Sequence, residues 1–358
     1  MIYRFWKERK MKFDFVIGNP PYQEEQGGEN KNYAPPVYHK FLDEAYKIGS
    51  TVEMIHPARF LFNAGSTPKE WNQKMLDDEY LKVLMYEQDS SKMFSNTDIK
   101  GGICVTYRDS KKKGEAIQTF TTFAELNSIM KKVNTPKDNN FGDIISGRTV
   151  YHLHDILHKE HPDAAKKLSK GHENDIMSNA FDKLEDIFTP DKPNDDEEYV
   201  QIYGLYKKKR VYRWTKKKYI DGPESFLNWK VFVPEANGSG AIGEVLSTPL
   251  IGAPLIGAPL IGATDTFLSI GCFKSEYEAK ACLKYVKTKF ARVLLGILKV
   301  TQHNTAPKWR YVPMQNFTDN SDIDWSQSVA NIDQQLYKKY DLTQEEIQFI
   351  ENNVKEMD

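Results

Sequence analysis

The stretch Phe13-Asp14-Phe15-Val16-Ile17-Gly18-Asn19-Pro20-Pro21-Tyr22 runs from a short apolar segment straight into a proline-stiffened loop. An apolar run of this length ending in Gly is the pattern of a buried strand. Two adjacent prolines fix the backbone just after it. Outward from there, Tyr38, Phe41, Leu42 and Ala45 recur at helical spacing. Val52 to Pro57 reads as a second strand, stopped by Pro. Leu81 to Tyr86 is a third, and Ile103 to Tyr107 a fourth. Strands alternating with helical stretches predict an α/β unit with a doubly wound sheet. The charged run Lys111 to Lys113 closes it.

The chain of 358 residues is long enough for two domains with real cores. Hydrophobic residues at 40% and charged residues at 28% exclude a disordered chain. The net charge of -1 means that any nucleic-acid contact depends on local basic patches. Cys104, Cys272 and Cys282 are an odd set with no CxxC spacing, which argues against a disulfide framework and a zinc site. They fit a reducing cytoplasm. Met1 to Lys12 carries charges but is followed by no apolar h-region, so no signal peptide is visible there. The apolar run Pro249 to Ala263 is broken by Pro and Gly, so no membrane span is expected.

Beyond the first unit, β-like runs are expected at Ile117 to Phe123, Tyr199 to Tyr206, Val211 to Trp214, Trp229 to Val233 and Phe267 to Gly271. Thr189 to Glu198 reads as an acidic exposed loop. Ala279 to Val300 reads as one long helix, and Asn331 to Tyr340 as another. Thr343-Gln344-Glu345-Glu346 is a capping box for a last helix carrying Ile347, Ile350 and Val354. Pro-Leu-Ile-Gly-Ala occurs three times in tandem from Pro249 to Ala263. Five residues are too few for a solenoid unit. The repeat reads as a loop lengthened by slippage in the gene, with a tunable spacer as the alternative.

Asn19 to Tyr22 suits one chemistry. The exocyclic amine of adenine is a poor nucleophile, because its lone pair is delocalised into the ring. Two acceptors that draw its N–H groups out of the ring plane restore that lone pair. An Asn oxygen just past a strand end and the carbonyl of the next Pro supply both, held in place by the prolines. Tyr22 offers a flat face for an extruded base. Pro pairs also mark plain turns, so four residues alone leave the two readings level; the preceding strand favours the chemical one.

Phe13 to Tyr22 resembles the catalytic loop, motif IV, of amino-group methyltransferases acting on nucleic acid. The order of the downstream segments resembles the gamma-class N6-adenine methyltransferases of restriction–modification systems, especially the fused methylase and specificity polypeptides. Gly101 to Tyr107 looks like motif VIII, whose aromatic stacks on the flipped base, a role that falls on Tyr107; the alternative is a half-buried strand tyrosine. Val211 to Trp214, Trp229 to Pro234, Thr264 to Gly271, Thr301 to Asn304 and Ser321 to Trp325 look like the target-recognition region. The resemblance implies a partial Rossmann-like methyltransferase sheet at residues 1–130 and a mixed α/β target-recognition domain at 131–320. A helical tail is implied at 321–358. The resemblance also implies methyl transfer from S-adenosylmethionine to N6 of a flipped adenine in double-stranded DNA. Asn19, Pro20, Pro21 and Tyr22 would be catalytic, with Tyr22 and Tyr107 flanking the base.

In that family the donor binds a Gly-rich loop well upstream of motif IV. Fewer than twenty residues precede the motif here, too few for a strand, a GxG turn and a helix. Gly238, Gly240 and Gly243 lie far downstream and do not follow a convincing buried strand leading into a helix. The expectation is therefore a truncated or split enzyme with the strand at Phe13 at a sheet edge, completed by a second polypeptide. Two rivals are kept: an inactive DNA-binding specificity fragment, and a protein-glutamine methyltransferase, which also uses an N-P-P-Y loop. Lys207, Lys208, Lys209, Arg210, Arg213, Trp214, Lys216, Lys217 and Lys218 interleave base and aromatic and are read as DNA contacts, against a solvated hairpin. His303 is read as a DNA contact or a helix-end cap. His152, His154, His158 and His161 are read as a solvated surface rather than a metal site.

Overall fold

The computed structural model describes residues 13–24, 34–63, 65–95, 99, 101–238, 241–247, 254–299 and 302–357. Residues 1–12, Gly240, the first repeat copy Pro249 to Ala253, Val300 and Thr301 lie outside them. The chain forms two compact units, Met1–Ala124 and Glu125–Asp358. The mixed α/β class expected from the sequence is borne out.

In the first unit, β1 (Phe13–Gly18), β2 (Gly49–Pro57), β3 (Leu81–Glu87) and β4 (Ile103–Asp109) form a sheet of order β1-β2-β4-β3. β1 and β2 run parallel, with Gly18 opposite Met54. The crossover between them contains α1 (Tyr38–Ile48), as a parallel pair requires. β4 is antiparallel to both β2 and β3. One face of the sheet is covered by α1 and α2 (Lys69–Leu76). Its core joins Tyr38, Leu42, Val52, Met54, Trp71 and Cys104. Phe41 does not join the apolar face expected of it and is exposed.

The opposite face is bare among the described residues. Strand alternation puts Phe15 and Ile17 of β1 there, 70% and 77% exposed, with Leu84 and Met85 of β3 also exposed. β1 sits at the edge of this sheet among the described residues. Long exposed apolar edges are aggregation-prone unless something covers them.

In the second unit, β6 (Tyr199–Tyr206) and β7 (Lys209–Lys216) form a hairpin. Lys207 and Lys208 turn it with positive φ at both positions, the two-residue geometry whose twist matches the strands. The short strands β5 (His152–Leu153) and β8 (Ile220–Asp221) pair with each other. β9 (Trp229–Pro234) is flanked by β10 (Leu255–Gly257) and β12 (Phe267–Phe273). β11 (Ile261–Ala263) joins β6 in parallel. The repeat is thus more than a loop: its second copy forms β10 and its third forms β11, in different sheets. Alternating apolar residues fit each seat, and Gly257 lets the Phe232 ring close to where a Cβ would stand, 2.5 Å away. The buried Lys230 donates to the carbonyls of Phe226, Asn228 and Ala258, tying the second copy down.

Helices α3 (Ala124–Val133), α4 (Asp155–Glu160), α5 (Pro162–Lys167) and α6 (Ala180–Lys183) precede the hairpin. α7 (Glu276–Lys287), α8 (Lys289–Leu295), α9 (Val329–Lys339) and α10 (Gln344–Asn353) come after it. Two expectations are corrected. Ile117 to Phe123 forms no strand; Ile117 and Phe120 instead pack as side chains on the first core. The long helix breaks at Thr288. The Thr288 hydroxyl accepts from Ala291 N, and Asp333 accepts from the amides of Lys289 and Phe290, so a new N-terminus is capped mid-run. The capping box at Thr343 is present: Thr343 Oγ1 accepts from Glu346 N, and Glu346 accepts from Thr343 N. Ile332, Leu336 and Ile350 of the last two helices share one core with Tyr285, Phe290 and Leu294.

Candidate functional site

Asn19 leaves the carboxyl end of β1 and is exposed, while Pro20 is buried. In open α/β sheets this end of parallel strands is where ligands bind. The loop is pinned on its far side. The Tyr22 carbonyl accepts from Val37 N at 3.1 Å, Gln23 bridges to Pro36, and Glu24 N donates to Pro35 O at 3.0 Å. Lys40 and Glu24 add an exposed ion pair at 3.1 Å. The loop is therefore held to the entry of α1 by backbone bonds rather than by side chains alone.

Tyr22 lines a cavity of about 280 Å³ with Tyr38, Pro57, Arg59, Gly65, Ser66 and Thr67. Its hydroxyl is shielded from solvent and has no hydrogen-bond partner among the described residues. An orphaned hydroxyl of this kind costs about 1–3 kcal/mol. Burial pushes its pKa up to about 12, with the Cys104 thiol adding to the shift, so it stays protonated.

His56 forms the floor under this end of the sheet. It is fully buried and stacks on Tyr38, ring centroids 5.4 Å apart. Nδ1 lies 3.1 Å from the Pro57 carbonyl, so the proton belongs there, and Nε2 accepts from the Thr106 hydroxyl at 2.8 Å. Burial pulls its pKa down to about 4, opposed by the Pro57 bond, so the ring is neutral. Neither His56 nor Arg59 was singled out from the sequence. The only hint of Arg59 was its place just past a strand that ends in Pro57.

Tyr107 lies on the bare face of the sheet, paired with Glu53 and, across it, level with Ile17, two residues before Asn19. Its hydroxyl donates to Asp109 at 3.4 Å.

The basic stretch of the second unit divides in two. Toward the hairpin tip, the Arg213 guanidinium lies 4.2 Å from the Tyr206 ring centre, and that of Arg210 lies 4.8 Å from Tyr203. Lys207 covers Tyr206 at 4.7 Å. Lys208 and Lys209 are exposed, with no ion pair among the described residues. Trp214 carries Lys192 over its ring at 5.8 Å. Toward the base, the charges are matched. Lys216 and Lys218 pair with Glu197 at 2.9 and 3.1 Å, Lys218 also with Glu160 at 2.8 Å, and Lys217 with Glu198 at 2.8 Å. The exposed acidic loop thus neutralises the lysines at the hairpin base.

His303 Nδ1 bonds Glu235 at 2.9 Å, and the neighbouring Asn304 is buried against Pro234 O. The four clustered histidines diverge. His154 caps α4 through Ile156 N, His158 bonds Asn174, His161 bonds the Tyr219 hydroxyl, and His152 bonds Asp175. No group of three His, Cys, Asp or Glu suited to a metal ion occurs among the described residues. No described helix is long and apolar enough to cross a membrane.

A pinned Asn-Pro-Pro-Tyr loop thus stands at the carboxyl end of a parallel strand in an α/β unit, and the comparisons say what the chain is similar to. Residues 2–94 match the family model described as Eco57I restriction-modification methylase. A stretch of 138 residues is 28% identical to an uncharacterized adenine-specific methylase of Mycoplasma pneumoniae, spanning 38% of this chain and 32% of that protein. The chain therefore spans about a third of that relative's length. The type IIG restriction endonuclease BpuSI overlaps 91% of this chain and 49% of its own, at 11% identity and a TM-score of 0.29, too loose to argue from. The resemblance to restriction–modification adenine methylases read from the motif is borne out.

Proposed function

We propose that this chain supplies the amine-activating loop and the DNA-gripping unit of a site-specific N6-adenine DNA methyltransferase of a restriction–modification system, working in the cytoplasm. The observation that carries it is the Asn19-Pro20-Pro21-Tyr22 loop, pinned by Tyr22 O to Val37 N at the end of β1. The Asn19 side-chain oxygen and the Pro20 carbonyl accept the two N–H groups of an extruded adenine amine. The lone pair then localises on nitrogen and can be methylated. Tyr22 stacks on the base. The tip of the β6–β7 hairpin, with Lys207, Lys208, Lys209, Arg210 and Arg213, meets DNA phosphates.

S-adenosylmethionine is the methyl source this chemistry calls for. The described residues do not fit it: none of the described strands opens through a Gly-x-Gly turn into a helix, and the outer edge of β1 is bare among them. In this reading the donor is held by a second polypeptide lying against β1, whose apolar face at Phe15 and Ile17 it would cover.

The test is transfer of labelled methyl from S-adenosylmethionine to duplex DNA by the protein purified from its native setting with whatever accompanies it. Label at adenine N6 that disappears with Asn19→Ala is the expected result. DNA binding without label in either form identifies an inactive specificity fragment. Label on a protein glutamine instead of DNA identifies the other reading.

A further inference from the structure

Two buried carboxylates mark one end of the β9–β12 pair. Pro234 and Phe267 close that pair, and just beyond it the Glu235 amide donates to Thr266 O at 2.9 Å. Glu235 and Asp265 are both buried there. Each holds a half-exposed side chain. Asp265 accepts from Arg148 Nη2 at 3.2 Å, with the Arg148 side chain 48% exposed, and Glu235 bonds His303 Nδ1 at 2.9 Å. The segment that carries Arg148 is fixed as well. Ser146 N donates to Ser269 O at 2.8 Å, Ser146 Oγ accepts from Ser269 N at 2.9 Å, and the Tyr151 hydroxyl lies 2.9 Å from Ser269 Oγ. Between these anchors Thr149 takes a left-handed φ of +52°. A β-branched residue keeps that conformation only where its surroundings impose it. Gly147 faces open space, because a Cβ there would meet nothing within 4 Å.

Burying a carboxylate is costly, and pairing it adds little net stability. Phosphate contact tolerates a mobile cation, such as the lysines at the hairpin tip. A guanidinium held at one angle suits a target whose acceptors lie in one plane. The fork has five N–H donors, and the Asp265 bond engages one of them. Two parallel donors match the O6 and N7 acceptors of guanine in the major groove. The proposed DNA surface is next to it: Thr264 N donates to Tyr203 O on the hairpin at 3.0 Å, and the Arg210 guanidinium lies 5.5 Å from the Phe267 ring centre. We propose that Arg148 reads a guanine of the recognition sequence, with Asp265 as the positioning residue that aims it. This rests on the DNA-gripping reading of the second unit.

The test is selection of duplexes from a random-sequence pool by the purified full chain, then affinity measurements on the selected duplex. Wild type should select a sequence with at least one fixed guanine. Arg148→Lys keeps the charge but not the fork. It should lose about ten-fold of discrimination at one guanine and leave the slope of log affinity against log salt unchanged. Placing 7-deazaguanine there, which lacks the N7 acceptor, should weaken wild type to the same extent and Arg148→Lys hardly at all. Asp265→Asn should blunt the preference at that guanine and at no other position. A purely structural pair would instead affect all positions alike. Selection of the same sequence by Arg148→Lys, or equal weakening on every duplex, overturns this inference and leaves the methylation reading standing. Selected duplexes with no fixed guanine overturn it too. An Arg148-dependent guanine preference without any methyl transfer overturns only the methylation reading. Failure to bind any duplex overturns the DNA-gripping reading and this inference with it.

Discussion

The carbonyl of Tyr22 accepts a hydrogen bond from the amide of Val37 at 3.1 Å, tying the end of the Asn-Pro-Pro-Tyr loop to the first residues before α1. Because the proposed chemistry depends on acceptor placement, this single bond should matter more for rate than for stability. Val37→Pro removes the donor and forces φ away from its observed −120°. Methyl transfer should fall by roughly 10²-fold, the scale of an ångström-sized misplacement. Hydrogen exchange of the β2 amides should stay near wild type. Equal loss in both would make the bond merely structural.

His56 makes the first unit acid-sensitive. Its folded pKa, about 4, lies below the value near 6.5 expected when unfolded. Its contribution to stability is therefore complete above about 6.5 and is lost as pH falls toward 4. The loss amounts to at most about 3 kcal/mol for this one ring. Denaturant melts of wild type and His56→Gln should converge at acid pH; parallel curves from pH 7 to 4.5 would contradict this.

The hairpin charges should not be equivalent. Lys208 and Lys209 are exposed at the tip, whereas Lys217 is held by Glu198. Replacing Lys208 and Lys209 with Ala should weaken duplex binding and flatten the slope of log affinity against log salt by about 2. Lys217→Ala should change neither by much. A uniform effect of all three would show that the acidic loop releases its lysines on DNA.

The repeat offers two strand seats, β10 and β11, for three identical copies. Deleting one of the three copies leaves two, one for each seat. The melting temperature should then move by less than about 2 °C. Deleting two copies empties a seat, leaves Lys230 without its Ala258 carbonyl, and should unfold the second unit. Thermal melts of the three lengths decide it.

Much of the first unit was legible in the sequence. Its strands are short apolar runs, the first two closed by Gly18 and Pro57, and β1, β2, β3 and β4 fall where that pattern places them. The Thr343 capping box was legible because its chemistry is local. The break at Thr288 was not, because the cap that makes it comes from Asp333, distant in sequence. The repeat was misread as a loop because its strands exist only through pairing with β9 and β6. At the site, the motif could be read directly. The Arg148–Asp265 pair joins residues far apart in sequence, and the neutralised lysines depend on an acidic loop that looked merely solvated.

The central claim is tested most directly by mapping N6-methyladenine across the genome of cells that carry the chain in its native setting, with wild type and with Asn19→Ala. The account predicts full methylation of one short sequence in the wild type and its complete loss in the variant. Methylation that persists in Asn19→Ala, or no methylated sequence that depends on this chain, would contradict it.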